Sequence, residues 1–304
     1  MYSDINASFP ILGKINTMKV LILGINGMLG HKLYQSLRGK FDVFGTIRGD
    51  FESVSKYGIF DVERTIDGVD VTEISTVRSA IERTEPDVVI NAVGVIKQLP
   101  SASDVVNTLT VNSIFPHKLA ELGERMRFRT ITVSTDCVFS GEKGRYIESD
   151  ICDALDLYGQ SKHFGEVTSG DVLTLRTSMI GPELGTSHSL FEWFLSNKGG
   201  RVKGYTNAIY SGFPTIVFAD IISTLITDHR SLRGLFHVSS NPISKYSLLS
   251  LINERLGLGI EIEPYEDLRL DRSLDSSLFR NTAGIEPSEW PEMIDRMCSD
   301  LSVV

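Results

Sequence analysis

The 304-residue chain predicts an α/β fold: a doubly wound parallel sheet followed by a smaller C-terminal α/β region. Two observations predict it. Short runs that are apolar almost throughout ("KVLILG", "DVVINAVG", "RTITVSTDCVF", "DVLTLRTSMIG") recur before residue 181. Strands of that kind are buried on both faces, as in parallel sheets, whereas a half-exposed strand alternates. Stretches of helical period separate these runs, and strand–helix alternation is the pattern of a parallel sheet covered on both sides.

The elements follow in order. Residues 1–17 lack periodicity and read as an extension ahead of a strand near Lys19; Met18 is an alternative start. "KVLILG" is the first strand, "MLGHKLYQSLRG" a helix ending at Gly39, and "FDVFGTIRG" the second strand. "GVDVTEISTVRSAIERTEP" supplies a strand end, a cap at Thr72 and a helix stopped before Pro86. "DVVINAVG" is a strand, "VNSIFPHKLAELGERM" a helix, "RTITVSTDCVF" a strand, Tyr158 to Val167 a helix and "DVLTLRTSMIG" a strand. After Gly181 the rhythm weakens to "SLFEWFLSNKGG" (helix), "GLFHVSS" (strand) and "SKYSLLSLINERLG" (helix), then a charged tail with Pro264, Pro287 and Pro291. The division expected is 18–180 as the first domain and 181–304 as a second region, part of which returns to the first. No internal repeat or low-complexity tract is present.

Composition excludes several classes. Hydrophobic residues make up 41% and charged residues 23%, as in globular proteins. A net charge of -9 argues against a nucleic-acid partner, which needs a basic face, but leaves phosphorylated ligands open. Three cysteines (Cys137, Cys152, Cys298) have neither disulfide-framework nor metal-ligand spacing, so no metal is expected and a reducing cytoplasm is the simplest setting. No apolar run approaches the ~20 residues of a membrane span, and the first residues lack a basic region followed by an apolar one, so no secretory signal is expected.

"GINGMLG" places Gly24, Gly27 and Gly30 between the first strand and first helix, with Asn26, Met28 and Leu29 among them. Glycines let a backbone approach a pyrophosphate, and the helix N-terminus offers N–H groups and a positive dipole end. This turn is a candidate dinucleotide site. An NAD site carries a carboxylate about 20 residues after the first glycine. Here "VFGTIRG" has none, while Arg48 is close and His31 and Lys32 follow the glycines, which favours the 2′-phosphate of NADP over NAD. Asp70 and Val71, read as the end of the third strand, would meet the adenine. Asn91, Ala92, Val93 and Gly94 follow the fourth strand on the cofactor side.

Thr135, Tyr158 and Lys162 form the candidate catalytic set. A tyrosine protonates a carbonyl oxygen once its phenol is made more acidic than its free value of about 10. A lysine four residues on shares its helix face and stabilises phenolate. A threonine hydroxyl at a strand end can hydrogen-bond the same oxygen.

"GINGMLG", "NAVG", "STDCVFSG", "YGQSK" and "LRTSMIGP" together resemble the extended short-chain dehydrogenase/reductase superfamily, most nearly the dTDP-4-dehydrorhamnose reductase family, over about residues 18–240. The resemblance implies a Rossmann fold and hydride transfer from NADPH to a 4-keto-6-deoxy sugar bound as its nucleoside diphosphate, in deoxysugar biosynthesis for surface polysaccharide. It makes Tyr158 the acid, Lys162 its partner and Thr135 the carbonyl donor. Many relatives dimerise through helices beside the sheet, so a homodimer is compatible with it.

Asp136 and Cys137 stand where 4,6-dehydratases of the superfamily carry Asp–Glu, and the missing Glu argues against a dehydratase. Cys137 also resembles the cysteine of GDP-fucose synthase, whose Cys and His act as acid and base in epimerisation; His188, after "MIGP", falls at the place of that histidine. A C3/C5 epimerase/4-reductase is therefore an alternative, set against Cys137 as a small apolar residue on a buried strand. Lys97 and Gln98, Asp136, Lys203, Tyr205 and Arg272 are candidate substrate contacts, and Arg176 is either structural or a contact. A C4 epimerase that retains NAD is disfavoured by the cofactor pattern. The regulatory subunit of methionine adenosyltransferase also resembles the rhamnose reductase family, so an NADP-binding scaffold without catalysis is the reading from another class.

Overall fold

The computed structural model describes residues 18–97 and 103–301. The predicted extension 1–17 and Gln98 lie outside them. Strands Lys19–Leu23 (β1), Asp42–Thr46 (β2), Thr65–Ile66 (β3), Val88–Asn91 (β4), Arg129–Thr135 (β5) and Val172–Thr177 (β6) share one sheet with a seventh strand, Gly234–His237. All pairings in it are parallel, in the order Gly234–His237, β6, β5, β4, β1, β2, β3. The doubly wound sheet is as predicted. The chain runs outward from β1 to β3, then restarts at β4 and runs the other way. Ligands of such sheets bind outside the carboxyl ends of the strands at this reversal, here between β1 and β4.

Side chains of β1 alternate between two cores. Val20 and Ile22 join Leu29, Leu33 and Leu37 of helix Met28–Leu37 (α1) on one face. Leu21 and Leu23 join Val77 and Ile81 of helix Ile74–Thr84, and Leu119 of helix Phe115–Met126, on the other. A helix that sequence reading passed over, Thr215–Thr227, packs on α1, and the Trp290–Asp300 helix packs beside it. "TIVFADIISTLIT" is apolar nearly all round and rich in β-branched residues, so it shows little helical period.

Several boundaries differ from expectation. The third strand is Thr65–Ile66, so Asp70 and Val71 sit beyond its end in a turn. Thr72 does not cap the next helix; its hydroxyl bonds Asp70 Oδ1, and Glu73 holds the cap position without a side-chain bond. The helix before β5 begins at Val105 and contains a π turn, Thr110–Ile114. Pro116 follows, and lacking an N–H it cannot bond the carbonyl four residues back, that of Asn112. The strand predicted through Phe139 ends at Thr135, so Asp136 and Cys137 lie on a 3₁₀ turn (Asp136–Val138), not on a buried strand.

The C-terminal residues also form small ladders. Arg201–Tyr205 pairs with Glu261–Tyr265, and Ala208–Tyr210 lies between Ile243–Ser244 and Leu270–Asp271. No helix among the described residues is long and apolar enough to cross a membrane.

Candidate active site

The glycine turn is built by three different constraints. Gly24 has φ +81°, a left-handed conformation that suits glycine, and its N–H reaches both Thr46 O and Thr46 Oγ1 at 3.2 Å. A Cβ on Gly30 would collide with the Gly24 carbonyl, so this glycine lets α1 pack against the turn. A Cβ on Gly27 would make only ordinary contact with protein, at 3.5 Å from Gly24 O. Gly27 and Asn26 are exposed at the start of α1. The fold therefore gives no reason of its own for glycine at 27, whereas a pyrophosphate laid on the helix N-terminus does.

Thr46 occupies the end of β2, where a ribose-binding carboxylate would stand, and turns its hydroxyl to Gly24. Arg48 is exposed two residues on, close enough to Asp70 to help hold that carboxyl below its usual range, after the hydrogen bonds from Thr72. The other two cations expected near a 2′-phosphate are not available. His31 is fully buried with Nδ1 on Gly27 O at 2.9 Å. Lys32 is buried and bonds Asp300 and Gln35 Oε1, which ties the last helix to α1. Met28 and Leu29 open α1. Asn91 accepts from Val93 N–H at 3.2 Å, Ala92 N–H reaches Leu23 O, and Gly94 passes close to Asn112.

Sequence analysis missed Asn112. From the π turn it holds both backbone groups of Val95 (2.9 and 3.0 Å) and Ser161 Oγ (3.1 Å). It thus joins the loop after β4 to the Leu157–Phe164 helix, which carries Tyr158 and Lys162. A Cβ on Gly165 would collide with the Asn112 carbonyl. Asp156 caps that helix through Gly159 N–H at 3.0 Å and takes Lys97 Nζ at 3.1 Å. Lys97 is therefore tied to the cap rather than pointing free. An Asp just before "LYGQSK" is the one local signal that could have found Asp156.

Thr135, Tyr158 and Lys162 do come together. Thr135 Oγ1 caps the 3₁₀ turn, accepting from Cys137 N–H at 3.1 Å, and lies 3.2 Å from Asp136 Oδ1. The buried Tyr158 phenol lies near Thr135, and burial and then the nearby Cys137, Asp136 and Asp156 push its pKa up, so it stands as a neutral acid. Lys162 donates to Val133 O of β5 at 2.8 Å, and burial brings its pKa down to about 8 against the opposing charge of Glu166.

Arg272 also reaches this turn. It follows strand Leu270–Asp271, gives Nε to Phe139 O at 2.8 Å and lies 3.6 Å from Cys137 Sγ. Burial first, then Asp136, pushes the Cys137 thiol up to about 12, Arg272 acting the other way. His188 is exposed, its N–H bound to Glu183 at 3.0 Å, and among the described residues no hydrogen bond links it to Cys137. Lys203 lies over the Tyr265 ring at 4.1 Å, and Tyr205 meets the same ring edge-on. No hydrogen bond or ion pair joins these two to the Thr135 turn among the described residues.

Arg176 is structural. It forks onto Glu166 with two bonds of 2.7 Å and touches His237 Nε2 and Cys152 Sγ, both at 3.1 Å. Glu166 also takes Ser134 Oγ and His163 Nδ1. Cys152, His163 and Glu166 bring metal-ligand atoms together, but the guanidinium bonded to two of them supplies the positive charge there.

Fold and site define the class: an oxidoreductase of the extended short-chain dehydrogenase/reductase type. The chain belongs to the RmlD substrate-binding domain family, whose model matches residues 18–303. It is 28% identical over 298 residues to the dTDP-4-dehydrorhamnose reductase of Aggregatibacter actinomycetemcomitans, covering 90% of this chain and 95% of that one. It is 25% identical to the spore coat polysaccharide biosynthesis protein SpsK of Bacillus subtilis, covering 91% and 95%. Rat methionine adenosyltransferase 2 subunit beta is 23% identical, covering 93% and 90%. Among solved structures, dTDP-4-dehydrorhamnose reductase of Bacillus anthracis in complex with NADP superposes with a TM-score of 0.77 at 21% identity, covering 93% and 99%.

Proposed function

We propose that this protein reduces the 4-keto group of a nucleoside-diphosphate 4-keto-6-deoxy sugar with NADPH, in the cytoplasm, as a step in making deoxysugars for surface polysaccharide. One observation carries the reading. Thr135 ends β5, and Tyr158, buried close to it, and Lys162 one helical turn on share the Leu157–Phe164 helix, beside the β1/β4 reversal where the glycine turn lies. The names of the relatives support the substrate class, and the NADP in the Bacillus anthracis structure supports the cofactor.

The residues fit NADP. Gly24, Gly27 and Gly30, with the N-terminus of α1, would hold the pyrophosphate; Arg48 would face the 2′-phosphate; Asp70 and Val71 would border the adenine; and residues 91–94 would line the middle of the groove. When bound, NADPH supplies the hydride. The chain supplies the rest. Tyr158 gives its proton to the carbonyl oxygen, Thr135 orients that oxygen, and Lys162 offsets the negative charge left on the phenol. Arg272, beside Cys137, would meet the sugar or its phosphates, and Lys203 and Tyr205 would lie further along the nucleotide.

Reduction without epimerisation is the reading that the site favours. A thiol pushed up to about 12 makes a poor base at neutral pH, and among the described residues no hydrogen bond pairs His188 with it. A scaffold role like that of the methionine adenosyltransferase subunit would not need the Thr–Tyr–Lys set that is complete here. The test supplies dTDP-, UDP- and GDP-linked 4-keto-6-deoxy sugars, follows NADPH oxidation, and compares Tyr158→Phe. Loss of reduction by about 10²–10⁴-fold with NADPH affinity kept is expected. No turnover by the wild-type protein with any of them would turn the reading toward the scaffold.

A further inference from the structure

The loop after β6 and the segment after β2 touch, although their strands are far apart. β6 and β2 stand four places apart in the sheet, about 19 Å at ~4.8 Å per strand. Yet a Cβ on Gly185 would lie 2.2 Å from Tyr57 Oη, so the tyrosine rests directly on this glycine. To reach it, the chain leaving β6 passes the carboxyl ends of β5, β4 and β1. Those ends carry Thr135, residues 91–94 and the glycine turn. The crossing therefore spans the groove at the β1/β4 reversal, where a dinucleotide would lie.

Each half of this crossing is built firmly by itself. Glu183 closes the loop into a turn: its carboxylate accepts from Thr186 Oγ1 at 2.5 Å and from His188 N–H at 3.0 Å, and its own N–H goes to Glu192 Oε1 at 3.0 Å. Leu184 is buried, while residues 185–188 are exposed. Gly185 has φ +68°, so the turn offers bare backbone to the tyrosine. On the other side, Tyr57 packs on the core that contains Leu29 of α1. Phe60 and Asp61, which follow it, are held on Tyr34 of α1 by a ring contact of 5.4 Å and an N–H bond to the phenol oxygen of 3.3 Å. Between the halves, no hydrogen bond or ion pair is present among the described residues. Two firm parts that meet at one weak contact can separate without either of them unfolding.

We propose that residues 183–188 form a strap over the dinucleotide groove, that Tyr57 is the positioning residue that clasps it, and that NADPH enters and leaves only when the clasp opens. This deepens the reductase reading and rests on its cofactor, yet its test needs no keto sugar. Stopped-flow fluorescence of NADPH gives the rates of binding and release. In Gly185→Ala the added methyl meets Tyr57 Oη, and alanine is strained at a φ of +68°. The closed strap is then disfavoured, and both rates should rise by about tenfold. A residue that merely touched the cofactor would raise release alone. Tyr57→Phe by itself loosens the clasp and should raise both rates by about twofold. In the Gly185→Ala background the same change should lower them, because the ring Cζ lies an ordinary 3.4 Å from the methyl once the oxygen is gone. That reversal of sign belongs to a direct contact between the two positions. Additive effects, or wild-type rates in Gly185→Ala, overturn the proposal. Should Gly185→Ala fail to fold, Tyr57→Ala opens the clasp without straining the turn: a rise in both rates supports the proposal, and a rise in release alone or in neither overturns it. A wild-type chain that binds no NADPH would overturn the cofactor reading and the strap together, whereas binding with unaltered exchange in the variants overturns the strap alone.

Discussion

Two arginine–carboxyl–cysteine groups flank the helix that carries Tyr158, and they are built from the same parts to opposite effect. In one, Arg176 touches Cys152 and forks directly onto Glu166. In the other, Arg272 lies near Cys137 and Asp136, but its Nε goes to a backbone carbonyl instead. The first carboxyl is held below its usual range, burial being outweighed by the Arg176, Ser134 and His163 bonds. The second is pushed above it by burial. Depth alone therefore does not decide what a buried carboxyl does. A bidentate cation makes it a fixed charge that holds strands together, and its absence leaves a proton that can be kept or passed on.

The largest difference should appear on removing each arginine. The Arg176 and Glu166 side chains are 5% and 4% exposed, so Arg176→Met strands a buried charge and should cost about 3–5 kcal/mol in denaturant unfolding. Arg272→Met loses chiefly the bond to Phe139 O and should cost about 1 kcal/mol. Adding Glu166→Met to Arg176→Met should recover much of the first loss, because both charges are then gone. Equal costs for the two arginines would erase the distinction.

How much of this was legible in the sequence follows the range of each signal. The glycine turn and the Tyr158–Lys162 spacing are local, so both were readable, and so was the parallel sheet from its apolar runs. The meeting of Arg272 with Cys137 spans 135 residues, and that of Asn112 with Ser161 spans 49. No local pattern encodes either. His31 and Lys32 read as phosphate cations because they follow the glycines, yet the helix turns both inward and Asp300 neutralises the lysine. Arg48, with no such acceptor in the first helix, stays exposed. The Thr215–Thr227 helix was missed because burial on nearly all sides removes the polar stripe by which helices are recognised.

The comparison sharpens in the pH dependence of stability, where the two carboxyls should have opposite signs. Glu166, lowered in the folded state, contributes stability that is present above the ordinary Glu pKa of about 4.3 and lost as pH falls through its folded value. Asp136, raised, contributes stability that is full below about 3.9 and lost as pH rises toward its folded value, because there the folded chain holds a proton the unfolded chain has released. Unfolding curves from pH 4 to 8 should therefore show Glu166→Gln becoming more destabilising, relative to wild type, as pH rises. Asp136→Asn should move the other way. Slopes of the same sign would show that both carboxyls are simple ion-pair partners.

The smallest effect should come from the cysteines, the part the two groups share most closely. Burial pushes Cys152 up to about 11 and Cys137 up to about 12, so neither is a thiolate at neutral pH. Both should react with iodoacetamide far more slowly than a free thiol of pKa about 8.5. Cys137→Ser keeps a small polar group beside Arg272 and Asp136, and should change ketone reduction by no more than about twofold, or ~0.4 kcal/mol. Reduction run in D2O tests the same residue in another way, since an epimerase base would place deuterium at C3 or C5 of the product beyond solvent-only exchange. Products without such deuterium, from both the wild-type protein and Cys137→Ser, would leave Cys137 as packing between Arg272 and the Tyr158 helix. Deuterium that disappears with Cys137→Ser would make its thiol the acid or base of an epimerisation, and the likeness between the two cysteine sites would end there.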